Sequence, residues 1–473
     1  MTPRRYGVVP AILDGPLSRP LPLRCRRWTE EAALRAMRFR LGGGEILVAP
    51  GTPTASLVAV GDISLHFVAE AGASHTSPSR LFDGVAPVLR AADLRVGNLE
   101  SVLTTERRRA ALAGSFLRGA PELVEALTAA GFDALTCANN HCLDFGPAAL
   151  CESLDHLRRH GIQPCGVGST DAQQRAPVLL SARGISVGML GYADDCNVAP
   201  RWPTGPRSAE SEDEAILADL RRLREQVDIV VLQLHWGYEW AMYPLRTHRD
   251  RARRFAEAGA DVVLCHHAHV PMGVEAWKGS VIAHGLGNFL FGWRRPRSHP
   301  WRNRSHMLRV HFNADGVTSA EVIPCGTGHD HRVVPLHGVE RREVLGAHQV
   351  LRRGLHDDAY LARLEADRVV RETQSLVVRL GRFATAGDAG RVQELALHLG
   401  APRQRALVAA LRGGEFDGGP DLASFLDRAG CARDDWAAAI AVGREATGEA
   451  ITGLLRRLTV GGHLRGEPVG RVP

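Results

Sequence analysis

Residues 261–269 read Asp-Val-Val-Leu-Cys-His-His-Ala-His, an apolar run that closes on three imidazoles. Five other runs share this design. Leu57-Val58-Ala59-Val60 ends in Gly61-Asp62, Asp93-Leu94-Arg95-Val96-Gly97 ends in Asn98-Leu99-Glu100, and 133–138 ends in Asn139-Asn140-His141. The run 229–234 ends in His235-Trp236-Gly237, and 280–284 leads into Gly285-Leu286-Gly287-Asn288. Short apolar runs bounded by turn residues read as strands. One strand with a polar end carries no information. Six in one chain imply a site, because the carboxyl ends of strands in an open α/β sheet share one edge, where ligands bind.

Between these runs the pattern is helical. Stretches 121–130, 146–160, 211–226 and 248–258 each have apolar residues at helical spacing, with Pro121 opening the first and Gly131, Gly161 and Gly259 closing three of them. Alternation of this kind predicts βαβ units and an α/β fold with a largely parallel core. The runs 305–312 and 319–323 flank Asn313-Ala314-Asp315-Gly316 and predict an antiparallel hairpin, so the core is expected to be mixed. Four regions are expected: an N-terminal arm over 1–55 with one helix over 29–41, the α/β domain over 56–335, a helical domain over 340–465, and a tail over 466–473. The helical domain is read from Ala-, Leu- and Arg-rich runs without strand signals.

Composition narrows the function classes. The chain has 473 residues, 45% hydrophobic content and a formal net charge of +6. Lys278 is its only lysine, so its positive charge is arginine, whose planar fork suits phosphate and carboxylate groups. An anionic substrate is expected. Nucleic-acid binding is not, since no helix-turn-helix, zinc finger or aromatic-interleaved basic run is present. Nine cysteines without CxxC spacing favour a reducing compartment over a disulfide framework. No uninterrupted apolar stretch reaches the ~18 residues of a membrane span, and the apolar stretch near the N-terminus is short for a signal peptide. A cytoplasmic location is expected. The Walker lysine, the dinucleotide glycine fingerprint and Gly-x-Ser-x-Gly are all missing.

The donor types themselves suggest metal. Carboxylates mixed with imidazoles suit Mn, Fe or Zn better than Ca. Asp62, Glu100 or Asn98, Asn140, His235, His267 and His269 could together hold two divalent ions, which would clamp a phosphoryl oxygen and activate a shared water. His141, beside Asn140, would be the general acid, and Asp144 would orient it or cap the following helix. Each residue alone has a plainer reading: a turn cap for Asp62, a surface acid for Glu100, a core histidine for His235. Their recurrence at strand ends is what favours ligation. His267 and His269, at i and i+2, would point to one side of an extended backbone, with His266 facing away. Glu239 would hold a ligand imidazole and Asn288 would brace the loops. Arg294, Arg295 and Arg297 belong to the densest basic segment and could grip a polyanion.

The segments Gly61-Asp62, Gly97-Asn98-Leu99-Glu100-Ser101, Ala138-Asn139-Asn140-His141 with Leu143-Asp144-Phe145-Gly146, His235-Trp236-Gly237-Tyr238-Glu239, His266-His267-Ala268-His269-Val270 and Leu286-Gly287-Asn288-Phe289 resemble the capsule-synthesis CapA family. That family is part of the calcineurin-like metallophosphoesterase superfamily. The resemblance covers 56–325. It implies a four-layer α/β/β/α sandwich, a dinuclear centre, and a link to capsule or γ-glutamyl polymer metabolism. The chain departs from the superfamily in three places. Ser64 stands where Asp-x-His has its histidine, Glu100 takes the place of the bridging aspartate (Asn98 being the alternate), and Cys265 replaces a common glycine. The family's membrane or secretion anchor is not recognisable. Three functions follow: a phosphoester hydrolase, a metal-dependent amide or γ-glutamyl hydrolase, or a non-catalytic polymer-binding component of an assembly.

Overall fold

The central strands read as unbroken apolar runs because both of their faces are covered. The computed structural model describes residues 44–71, 77–110, 115–194, 204–291, 301–328 and 330–364. The chain begins with β1 (Glu45–Leu47), β2 (Ala55–Ser64), α1 (His66–Ala71), α2 (Ala86–Arg90), β3 (Leu94–Leu99), β4 (Val102–Leu103) and β5 (Arg118–Gly119). It continues through α3 (Val124–Ala130), β6 (Ala134–Thr136), α4 (Pro147–Arg159), β7 (Gln163–Cys165), β8 (Val167–Gly168), α5 (Asp171–Gln174), β9 (Val178–Ala182) and β10 (Ile185–Ala193). Next come β11 (Arg207–Ser208), α6 (Asp213–Arg224), β12 (Ile229–His235), α7 (Arg246–Glu257), β13 (Val262–His266), β14 (Val274–Trp277) and β15 (Ser280–Ala283). The last described elements are β16 (Asn288–Phe291), β17 (Arg304–Asn313), β18 (Gly316–Thr327), β19 (Val333–Pro335) and α8 (Gly338–Gly354).

Two mixed sheets carry the fold. The nine-stranded sheet runs β1-β18-β17-β2-β3-β6-β7, with β16 also on β2 and β19 on β18; the six-stranded sheet runs β14-β15-β13-β12-β10-β9. Strands β2, β3, β6 and β7 pair in parallel, as do β10, β12, β13 and β15. The hairpin β17–β18 is antiparallel, as its Asp-Gly turn predicts. The six donor-bearing runs therefore lie in two sheets rather than along the edge of one. Hydrophobic periodicity gives a strand its faces but does not choose its neighbours.

Side-chain alternation shows how the sheets meet. Leu57 and Ala59 of β2, Ile229 and Val231 of β12, and Val262 and Leu264 of β13 share one buried cluster between the sheets. Val230, Leu232, Leu234, Val263 and Cys265 point the other way, onto Ile216, Leu220 and Leu223 of α6 and Ala252, Phe255 and Ala256 of α7. On the far side of the larger sheet α3 buries Val124 and Leu127, and α4 buries Leu150, Leu154 and Leu157. The layering is α/β/β/α.

The helix predicted over 121–130 is a 3-10 turn followed by α3, which ends at Gly131 with φ +79°, a left-handed C-cap. Two boundaries differ from the sequence expectation. Residues 45–47, placed in the arm, form β1 and extend the larger sheet through β18. Helix α8, placed in the helical domain, sends Leu345 into the cluster between the sheets. It belongs to the compact unit of Met1–Ala110 and Ser115–Asp358; a second unit comprises Ala111–Gly114 and Ala359–Pro473. The helix expected over 29–41 and the helical runs beyond residue 364 lie outside the described residues.

A buried ion network ties α7 to β14. Arg253 Nε and Nη2 donate to Glu275 Oε1 and Oε2 at 3.0 and 2.7 Å, and His284 Nε2 lies 2.9 Å from Oε1. Glu275 is 1% exposed. Burial raises its pKa, but His284 and Arg253 more than offset this and hold it at about 2. Among the described residues no helix is long and apolar enough to cross a membrane.

Candidate metal centre

Strand register places the first donors side by side. Asp62 of β2 is level with Asn98 of β3 on one flank and with Asn288 of β16 on the other. Gly61 makes this possible: a Cβ there would lie 1.8 Å from the Gly287 carbonyl oxygen, and the Asp62 amide donates to that oxygen at 2.9 Å. In the other sheet His235 is level with His266. Both continue the inward phase of their strands, Ile229-Val231-Gln233-His235 and Val262-Leu264-His266, and so face the larger sheet.

The donors converge on two carboxylates. Asp62 Oδ1 accepts from Asn98 Nδ2 at 2.8 Å and faces His266 Nδ1 at 3.2 Å; Oδ2 is met by the His267 amide at 3.3 Å and His269 Nδ1 at 3.4 Å. Glu100 Oε1 is ringed by His269 Nε2 at 3.6 Å, His235 Nε2 at 3.8 Å and His141 Nε2 at 3.9 Å, and this buried oxygen accepts no hydrogen bond from the described residues. His235 Nε2 also lies 2.9 Å from Asn140 Oδ1 and 3.1 Å from His267 Nδ1. Among the described residues two groups have donor atoms close enough to hold a cation: Glu100 with His235 and His267, and Asp62 with Glu100 and His269. Glu100 belongs to both. The donors present therefore fit a divalent ion, and an otherwise orphaned carboxylate oxygen marks the place.

The electrostatics differ across the cluster: burial would lower His269, but Glu100 and Asp62 raise it to about 10. Burial pushes Glu100 up to about 8 despite the opposing pull of His269 and His141. Burial alone would raise Asp62 too, but the His266 and His269 imidazoles hold it well below the usual carboxylate range. Burial and the neighbouring His267 push His235 well below its ordinary value, and burial takes His267 down to about 4.

His141 sits beside this cluster. Its Nδ1 lies 2.8 Å from Asp144 Oδ2, which also accepts the Leu117 amide at 2.7 Å. Burial would lower His141, yet the Asp144 carboxylate, with Glu100 behind it, raises it to about 9.

The sequence-selected residues thus gather at one place: Asp62, Asn98, Glu100, Asn140, His141, Asp144, His235, His267 and His269. Asn288 Oδ1 lies 2.9 Å from His269 Nδ1, and its amide donates to the Arg302 carbonyl at 3.1 Å, a brace as expected. Two details differ. Asn98 turns its amide nitrogen, not its oxygen, toward Asp62, Glu100 and His235 at 2.8, 3.5 and 3.2 Å, which makes it a donor to the other groups. His267 and His269 have φ of +83° and +59°, so they reach the site from left-handed turns rather than an extended strand. Glu239 accepts from Trp240 Nε1 at 3.1 Å, and its carboxylate interacts with the His269 and His267 imidazoles. Arg294, Arg295 and Arg297 lie outside the described residues.

Two contributors escaped the sequence reading. His266 faces Asp62 instead of turning away, a consequence of strand alternation continuing through residue 266. Asn139 donates to Asn98 Oδ1 at 3.1 Å and to the Leu99 carbonyl at 2.8 Å, and its own Oδ1 accepts the His141 amide at 3.1 Å. It locks the strand ends of β3 and β6 together. At Ser64, the expected histidine position, the hydroxyl is buried without a hydrogen-bond partner among the described residues.

The chain is similar to the PGA biosynthesis protein CapA of Bacillus subtilis (strain 168), 29% identical over 271 residues that cover 56% of this chain and 70% of that protein. It is 26% identical over 280 residues to the capsule biosynthesis protein CapA of Bacillus anthracis, covering 57% and 66%. Among solved structures, a 5'-nucleotidase from Candida albicans SC5314 overlaps 65% of this chain and 59% of its own, at 12% identity and a TM-score of 0.37. A hypothetical protein from Thermus thermophilus overlaps 57% and 98%, at 15% identity and the same TM-score of 0.37. The profile of the bacterial capsule synthesis protein PGA_cap matches residues 56–293, the span that carries every donor of the cluster around Asp62 and Glu100, and the chain belongs to that family.

Proposed function

We propose that this chain is a metal-dependent hydrolase that cleaves a phosphoester in the metabolism of an anionic, capsule-type or γ-glutamyl polymer. The observation that carries the reading is Glu100 Oε1: a buried carboxylate oxygen without a hydrogen bond, common to two donor groups and 3.9 Å from a histidine held in its acid form. Asp62, Glu100, Asn140, His235, His267 and His269 would hold two ions of Mn, Fe or Zn. Bound there, such ions supply Lewis-acid charge to a phosphoryl oxygen and make water more acidic.

The remaining work falls to the chain. Asn98 clamps Asp62 and Glu100, so the two carboxylates keep their spacing. His141, protonated through Asp144, donates its Nε2 proton to the departing oxygen. Asp144 stays fixed by the Leu117 amide and returns His141 to the same orientation after each turnover. Arg294, Arg295 and Arg297, three to six positions beyond the end of β16, are assigned to grip the polyanion. The relatives' names, PGA biosynthesis and capsule biosynthesis, support the polymer context.

A second reading, cleavage of an amide or γ-glutamyl bond at the same centre, is favoured by Glu239. This exposed carboxylate is held below its ordinary pKa by His269 and His267 against burial, so it stays charged and would repel a phosphodiester. The test is to strip purified protein with a chelator, restore Mn, Fe or Zn singly, and follow a phenyl phosphodiester and a γ-glutamyl anilide in parallel. Metal-restored release of phenol supports the first reading, and release of the aniline supports the second. Bound metal with neither product would leave a polymer-binding component, and absence of bound metal would overturn all three.

A further inference from the structure

We propose that Arg107, Arg108 and Arg109 form an anion subsite beside the His141–Asp144 pair, where they receive a leaving group that carries its own carboxylates. The inference deepens the hydrolase reading and rests on it for one point: His141 meets the departing oxygen, so a group lodged beside it lies on the leaving side.

The stretch that carries these arginines is held at both ends. Strands β4 and β5 pair in parallel, so the chain must leave one and travel back to enter the other. At the start of that excursion the chain is tied to α4. The Thr104 hydroxyl donates to Glu152 Oε2, and the Thr105 amide and hydroxyl donate to Glu152 Oε1 at 3.1 and 3.2 Å. Glu106 then fixes the turn, its Oε1 accepting the amides of Arg107 and Arg108 at 2.8 and 2.7 Å. The Ala110 amide donates to the Asp144 carbonyl at 2.8 Å, and the Leu117 amide donates to Asp144 Oδ2 at 2.7 Å. Residues 104–110 are thus anchored on α4 at one end and, at the other, on the residue that orients His141.

Arg107, Arg108 and Arg109 are all exposed, and among the described residues their guanidinium groups make no hydrogen bond or ion pair. The acids around them are engaged by other donors: Glu152 by the two threonines, Glu106 by backbone amides, Asp144 by Leu117 and His141. Three like charges in succession repel one another, and the anchors prevent the backbone from relaxing that repulsion. Arg109 is steadied further. Its Cζ lies 5.2 Å from the centroid of the Phe116 ring, and Phe116 meets Phe145 edge-on with centroids 6.4 Å apart. Phe145 directly follows Asp144. A guanidinium resting on an aromatic ring keeps its N–H fork for an oxyanion. The loop therefore presents three cations to solvent from a fixed position next to the proposed acid, and a γ-linked glutamyl chain offers a matching partner, one α-carboxylate per residue.

The test uses the full chain with methyl phenyl phosphate, its dicarboxyphenyl analogue, and hydroxyisophthalate, the phenol that the analogue releases. Calorimetry gives the affinity for hydroxyisophthalate without turnover. A variant with Arg107→Gln, Arg108→Gln and Arg109→Gln should bind it roughly 10-fold more weakly than the parent, while Arg→Lys at the same three positions should stay within about 3-fold. In metal-restored turnover the glutamine variant should raise KM for the dicarboxyphenyl ester by a similar factor and KM for the phenyl ester by much less. No binding by the parent, or equal binding by parent and glutamine variant, overturns the subsite. Turnover of neither ester, with arginine-dependent binding intact, would overturn the hydrolase reading and the leaving-group role with it, while the anion subsite itself stands. If the triple variant does not fold, Arg107→Gln with Arg108→Gln leaves Arg109 on Phe116 and should still weaken binding by roughly 5-fold; unchanged affinity there overturns the proposal.

Discussion

Replacing Asp144 by asparagine should move the alkaline limit of catalysis without dismantling the site. The carboxylate is the main group that raises His141, to about 9, against a burial effect acting in the opposite direction. Asparagine keeps the oxygen that accepts the Leu117 amide but removes the charge. Burial is then largely uncompensated, and the imidazole falls to its ordinary value of 6.5 or lower. At pH 8 the protonated fraction would drop from about 0.9 to about 0.03, a loss of roughly 30-fold in an acid-dependent step; at pH 6 the two proteins would differ by less than about 2-fold. The sign is fixed by the role: an acid is active below its pKa, so lowering that pKa erases activity from the alkaline side. The assay is kcat against pH for a phenyl phosphodiester, whose leaving group needs a proton, with the p-nitrophenyl ester as control, since nitrophenolate departs without one. Parent and Asp144→Asn sharing the same alkaline limb on the phenyl ester would refute the assignment of His141 as acid. An equal loss on both esters would point instead to a damaged centre.

Three further outcomes follow from the geometry. Glu100→Gln removes the carboxylate common to both donor groups, so metal content measured by elemental analysis should fall sharply; because burial disfavours the charged form of Glu100, the metal-free variant should melt no lower than the parent. Glu275→Gln should cost about 3 kcal/mol at pH 7, the difference between 4.5 and about 2 converted to free energy. A depressed carboxylate stabilises above its unfolded pKa and loses that contribution as pH falls toward its folded one, so the gap between parent and variant in urea unfolding should close between about pH 4.5 and 2; a pH-independent gap would contradict the ion network. Gly61→Ala drives a methyl group into the Gly287 carbonyl, and urea unfolding should show a loss of about 3 kcal/mol or more, with unchanged stability ruling out the observed packing of β2 on β16.

Much of the site could be read from the sequence because strand ends combine two signals, an apolar run and a cluster of donors. Asp62, Glu100, Asn140, His141, His235, His267 and His269 all carry that double mark. The division of their strands between two sheets carries no such mark, since pairing depends on contacts distant in sequence. Strand β10 has inward Val187 and Met189, but Gly188 and Gly191 break its apolar run, and Asp194 at its end turns to His248 and Arg251 rather than to the cluster around Glu100. His266 departs from the sequence expectation for a more local reason. Treating 267 and 269 as extended forces 266 to the opposite side, whereas the chain leaves the strand in left-handed turns and frees 266 to stay inward.

Those turns also limit how the centre can change. At 267 and 269 the backbone lies where a branched Cβ is disfavoured and where asparagine, aspartate, histidine and glycine are the best tolerated residues. Apart from glycine, every residue that the loop accepts comfortably is itself able to bind an ion. Exchange at these two positions would therefore tune the hardness of the ligand field more readily than it would abolish ligation, and a descendant of this chain could change its preferred element without first remodelling its backbone.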